Sequence, residues 1–143
     1  MIMKRVVLIV WTLLLCVGNL FATKHWQTHF SYNSVQVIAM DKDEVYALAN
    51  GKLFSINQQT EQLTLFTNFS GLHGTEIAYI AYDESREQLL ILYSDGKVDI
   101  QRNKNMHYVS DLYSKQMTYS KRCNNITIQG DMAYLSMDFG ILT

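Results

Sequence analysis

The sequence carries no surplus of charge, almost no cysteine and no helical periodicity beyond its first 22 residues. Twelve Lys and Arg stand against thirteen Asp and Glu in 143 residues, a formal charge of −1. There is no basic field to gather phosphates and no acidic tail to imitate them, which argues against nucleic acid as a partner. Of the two cysteines, Cys16 lies in an N-terminal apolar segment and Cys123 stands alone, so an internal disulfide is excluded and the fold rests on packing. No grouping of nucleophile, base and acid is present. We therefore expect no catalytic residue, no metal site and no cofactor.

What is present begins with an export signal. Residues 1–22 run from Lys4 and Arg5 through an apolar stretch at 6–17 to a break at Gly18-Asn19 before Leu20-Phe21-Ala22. That is the order of a secretory signal peptide cleaved after Ala22. The competing readings are a retained anchor, at the short limit for a span, and a lipid on Cys16, which the bulky Leu15 before it disfavours. Export through the inner membrane to the periplasm or the outer-membrane surface is expected, with no membrane contact beyond the signal. Loss of Lys4 and Arg5 leaves ten basic and thirteen acidic residues and a charge of −3.

The mature part repeats with a period near 44. Val45-Tyr46-Ala47-Leu48-Ala49-Asn50-Gly51-Lys52-Leu53-Phe54-Ser55-Ile56 aligns with Leu90-Ile91-Leu92-Tyr93-Ser94-Asp95-Gly96-Lys97-Val98-Asp99-Ile100. A third copy starts at Met132-Ala133-Tyr134-Leu135-Ser136-Met137-Asp138-Phe139-Gly140. Each is an apolar strand, a tight turn and a second strand, and the turn residues Asn50, Gly51, Asp95, Gly96, Asp138 and Gly140 are structural candidates. Asn-Gly and Asp-Gly reach positive φ at little steric cost and reverse a chain within two residues. A further strand precedes each copy and ends near an acid, at Asp41, Asp83 and Asp131. Fourth strands are indicated at residues 62–66 and, more faintly, 106–109. Residues 89–93 are apolar without alternation, as in a strand buried on both faces.

Four antiparallel strands per unit, repeated at 40–50 residues, indicate an all-β chain of β-propeller blades. The units lie at about 35–67, 77–111 and 125–143, so residues 23–143 are expected to form an incomplete propeller of two and a half blades.

Each candidate site has a plainer explanation. His25 and His29 stand four apart, but on an extended segment their rings lie about 13 Å from each other, too far to share a metal. Cys123 with His107 is an imaginable nucleophile and base, against which stands an incidental free thiol. Asp41, Asp83 and Asp131 could line a calcium-binding rim, although holding backbone N–H groups in turns explains them as well. Tyr46, Tyr79, Tyr82, Tyr93, Tyr134, Phe54, Phe66 and Phe139 suit either a core or a surface for stacking sugars.

Phe69-Ser70-Gly71-Leu72-His73-Gly74-Thr75-Glu76-Ile77, followed by Ile80, Asp83, the strand at 90–93 and Asp95-Gly96, resembles the repeat of two-component-regulator propellers. It departs from that repeat at Leu90, where many carry tryptophan. Trp26, the run from Leu90 to Ile100, Ser120-Lys121, Ala133-Tyr134-Leu135-Ser136 and Phe139-Gly140-Ile141 together resemble more closely the PorZ N-terminal propeller family, over residues 26–142. This resemblance implies a non-enzymatic component of the type IX secretion system of Bacteroidetes, working at the cell surface with the PorU sortase and anionic lipopolysaccharide. A second propeller and a sorting domain, which that family carries, are absent from this sequence. The alternatives are the periplasmic sensor of a hybrid histidine kinase and a truncated product without function.

Overall fold

Short polar turns between apolar runs convert this sequence into three antiparallel meanders. The computed structural model describes residues 34–143. The expected export signal, Trp26, His25 and His29 lie outside the described residues. The strands are β1(Val35–Met40), β2(Glu44–Ala49), β3(Lys52–Asn57), β4(Leu63–Leu65), β5(Ile77–Asp83), β6(Gln88–Tyr93), β7(Val98–Arg102), β8(Asn105–Val109), β9(Cys123–Gln129), β10(Met132–Met137) and β11(Gly140–Leu142). They form sheets ordered β1-β2-β3-β4, β5-β6-β7-β8 and β9-β10-β11. Between sheets, the first strand β5 of the second approaches the first strands β1 and β9 of its neighbours. Meandering sheets stacked in this way are propeller blades, two with four strands and one with three.

Most of the core lies between the sheets, and a smaller cluster of Ala47, Ala49 and Phe54 is buried on the other face of the first. Residues 89–93 of β6 are all buried. Leu89, Ile91 and Tyr93 pack with Tyr46, Leu48 and Leu53 of the first sheet, and with Ile77 and Ile80. Leu90 and Leu92 point the other way, into Cys123, Ile126, Leu135 and Met137 of the third. A strand covered on both faces needs no polar alternation, which is why this segment reads as continuously apolar. Each fully buried Leu or Ile stabilises the stack by about 1.5–3 kcal/mol.

The turns differ more than the even spacing of their glycines suggests. Asn50 and Gly51, at φ 51° and 71°, form a two-residue reversal that pairs Ala49 with Lys52. In the β6–β7 turn only Gly96 has positive φ, 89°; Gly96 N–H donates to the Tyr93 carbonyl and Tyr93 N–H to that of Lys97. Asp95-Gly96 thus belongs to a three-residue loop, with Gly96 at the left-handed position that such loops require. In the third unit the loop is Asp138-Phe139 and Gly140, at φ 137°, is already the first residue of β11. A turn with no glycine, Asn103-Lys104 at φ 49° and 64°, joins β7 to β8.

Two further features had no clear mark in the sequence. A register shift interrupts the pairing of each first strand, near Gln36, Ala78 and Asn124. A 3-10 turn at Asn68–Ser70 and one helical turn at Asp111–Ser114 shape the connections between sheets.

Candidate functional site

Antiparallel meandering sends the β1–β2, β3–β4, β5–β6 and β7–β8 turns to one end of the sheets. The β2–β3 and β6–β7 turns, with the connections between sheets, go to the other. Three clusters of side chains follow from this.

The first lies between sheets one and two at the end of the β1–β2 and β5–β6 turns. A cavity of about 870 Å³ is lined there by Met40, Asp41, Lys42, Asp43, Glu44, Tyr46 and Asn57 on one side. Tyr82, Glu84, Glu87, Leu89, Gln101, Asn103 and Lys104 line the other. Asp41 holds its own turn: its Oδ1 accepts the N–H groups of Asp43 at 2.7 Å and Glu44 at 2.5 Å, and its Oδ2 accepts the Tyr46 hydroxyl at 3.3 Å. The rings of Tyr46 and Tyr82 are nearly parallel, 6.2 Å between centroids. Burial, then the charge of Asp41, pushes both phenols above their ordinary value, so they stay neutral.

Asp83 sits behind this cavity. Its Oδ1 accepts Ser85 N–H at 3.0 Å, Ser85 hydroxyl at 2.6 Å and Arg86 N–H at 3.3 Å, and its Oδ2 takes the Arg86 guanidinium at 3.2 Å. Burial pushes the carboxyl up, but the bonds from Ser85 and Arg86 outweigh it and hold the group below its ordinary value. Asp131 does not repeat this pattern. It follows Gly130 in a two-residue turn, and its carbonyl, not its carboxylate, accepts Arg86 Nη2 at 2.7 Å. The three acids are therefore not equivalent, and the described residues contain no group of three His, Cys, Asp or Glu able to hold a metal.

The second cluster is a buried node absent from the sequence reading. Asp99 is fully buried on β7, and its carboxylate accepts the Tyr93 hydroxyl at 2.5 Å, the His73 N–H at 2.9 Å and His73 Nδ1 at 2.8 Å. His73 stacks on Tyr108, 4.6 Å between centroids. Burial, and then the bond to Asp99, raises Tyr93 far above its ordinary value. The node clips the connection between sheets one and two onto the second sheet. Its only sequence signal is an acid at a position where β7 turns inward, 26 residues from the histidine it binds.

The third cluster is at the opposite end. Gly96 nestles against Lys121 and Leu112. Lys97 Nζ lies 4.4 Å from the Tyr113 ring centroid and pairs with Asp95 at 2.5 Å, while Lys121 Nζ donates to the Tyr113 carbonyl at 2.7 Å. Asp138 accepts Asn124 Nδ2 at 2.8 Å, and bonds from Ser120 and Asn124 hold its carboxyl below the ordinary value.

The remaining candidates are dispersed. Cys123 is buried, its thiol donates to the Asn125 carbonyl at 3.3 Å, and burial pushes it up, away from thiolate chemistry. His107 is exposed on β8. Tyr46, Tyr93 and Phe54 are core; Tyr79, Tyr82, Phe66 and Phe139 are half-buried, and Tyr134 is exposed.

The model of the type IX secretion system PorZ N-terminal β-propeller domain matches residues 45–143. The chain belongs to this family. The match takes in the two inter-sheet cores and the Asp99 node. A solved structure of PorZ from Porphyromonas gingivalis, described as an essential bacterial surface component of the type IX secretion system, is similar at a TM-score of 0.71 and 30% identity. The alignment covers 75% of this chain and 15% of that one, so the present chain spans a small part of that PorZ. No curated protein matches the chain.

Proposed function

We propose that this chain is an exported, non-enzymatic blade segment of a PorZ-type attachment protein, presenting loops and blade edges to the PorU sortase and to anionic lipopolysaccharide at the cell surface. The observation that carries this reading is the family match over residues 45–143, joined to 30% identity with a type IX secretion surface component. The charge distribution supports a division of labour between the two ends. An anionic glycolipid is repelled by the carboxylate-lined cavity and favoured by the opposite end, where Lys97 and Lys121 lie over the Tyr113 ring and Arg122 follows Lys121 in the chain.

The test is replacement of the corresponding segment of a PorZ in its own bacterium by residues 45–143 of this chain. Retained surface attachment of secreted cargo, and loss of lipopolysaccharide capture by the K121E/R122E double variant, are expected. A chimera that is surface-located yet leaves attachment as defective as a deletion contradicts the reading.

A further inference from the structure

We propose that the cavity between the first and second sheets is a binding site for a cationic side chain, an arginine or lysine carried on an extended segment of a partner protein. The inference does not depend on the role proposed above. At about 870 Å³ the cavity is of ligand-pocket size and far larger than one ion requires. Five carboxylates line it against two ammonium groups, and neither Lys42 nor Lys104 forms an ion pair among the described residues. The nearby guanidinium of Arg86 is bound to Asp83 and the Asp131 carbonyl. Glu84 and Glu87, both exposed, line the cavity and accept no hydrogen bond among the described residues, so no donor of the described residues compensates their charge. Walls of low dielectric focus such a field on whatever enters.

Two observations of a different kind point to an N–H donor. Glu44 Oε1 accepts Asn57 Nδ2 at 3.2 Å, but Glu44 Oε2 on the first sheet and Gln101 Oε1 on the second are screened from water and have no donor. Each wall thus carries one unanswered acceptor. Both residues are only half-buried, which leaves their side chains room to turn toward an entering group. A guanidinium offers five N–H donors in one plane, enough to serve acceptors on both walls. The half-buried ring of Tyr82, backed by that of Tyr46, supplies an aromatic face for the cation. A neutral sugar leaves the carboxylates unpaired, an anion meets repulsion, and the described residues offer no three-ligand metal cluster.

The experiment is calorimetric titration of the full chain with a short peptide of alternating arginine and glycine. The comparison titrants are the same peptide with citrulline for arginine, and spermine. Saturable binding of the arginine peptide is expected, weakened about tenfold or more by citrulline and by the E84Q/E87Q double variant. The E76Q/D111N variant removes the same charge at the opposite end and is expected to bind as the parent does. The Y82L variant, its fold checked by circular dichroism, is expected to lose several-fold. Equal binding of the citrulline peptide, or equal losses from E76Q/D111N and E84Q/E87Q, overturns the site. Spermine binding as tightly as the peptide overturns its assignment to a polypeptide.

Discussion

At the scale of single residues, two buried carboxylates, Asp99 and Asp83, fix polar groups of quite different reach along the chain. Asp99 is buried and accepts from the buried Tyr93 hydroxyl and from two donors of the exposed His73, so removing it strands the Tyr93 hydroxyl in the core and releases His73 from the second sheet. Asp99→Ala is expected to destabilise by about 3 kcal/mol, against about 1 kcal/mol for Tyr93→Phe, which removes one donor. Chemical denaturation of both variants checks this ordering. Asp83 is also buried, but its Arg86 partner is 40% exposed, which screens that pair, and asparagine keeps an acceptor oxygen for the turn, so Asp83→Asn costs about 1 kcal/mol near neutrality.

The sign of the pH dependence follows from the direction of the Asp83 shift. The folded carboxyl lies below its ordinary value of 3.8, so its contribution is complete above that value and is lost as pH falls through the folded one. Parent and Asp83→Asn melting temperatures are therefore expected to differ most at pH 6 and to converge below about pH 3.8, as seen by thermal melts across that range. Asp83 was visible in the sequence as a turn acid, because its partners are two and three residues away. Asp99 was not, because one of its partners is 26 residues distant and an acid on a strand ordinarily faces water.

At the scale of elements, the hairpins were readable because turn chemistry and strand periodicity agree locally. Asn50-Gly51 between two apolar strand segments is a hairpin turn on its residue types alone. The outer strands β4 and β8 bury little, so their residues carried a faint pattern, and the register shifts near Gln36, Ala78 and Asn124 depend on neighbouring sheets. The glycine turns are expected to respond unequally to alanine. At Gly51 an added Cβ meets nothing within 4 Å, so the cost is the backbone penalty alone, about 1–2 kcal/mol. At Gly96 the same atom lies 2.9 Å from Lys121 Cδ and 3.2 Å from Leu112 Cγ, adding steric displacement of the third-sheet connection. Gly96→Ala is expected to lower the melting temperature more than Gly51→Ala.

At the scale of the whole molecule, the three sheets stabilise one another across two cores, and individual apolar side chains stay exposed on the first and third. Ile38 is 60% exposed on β1, and Ile141 is 76% exposed on β11. Exposed apolar faces beside strand edges associate. Residues 23–143 expressed alone are expected to sediment as a range of soluble assemblies, shifted toward monomer by Ile38→Asp combined with Ile141→Asp.

The claim on which the rest depends is that the middle blade is clamped between its neighbours. Native-state hydrogen exchange tests it directly. The amides of β6 from Leu89 to Tyr93 are expected to exchange slowest in the chain, with β2 and β10 next and β4 and β11 fastest. Exchange at β6 as fast as at β4 contradicts the stacked-blade account.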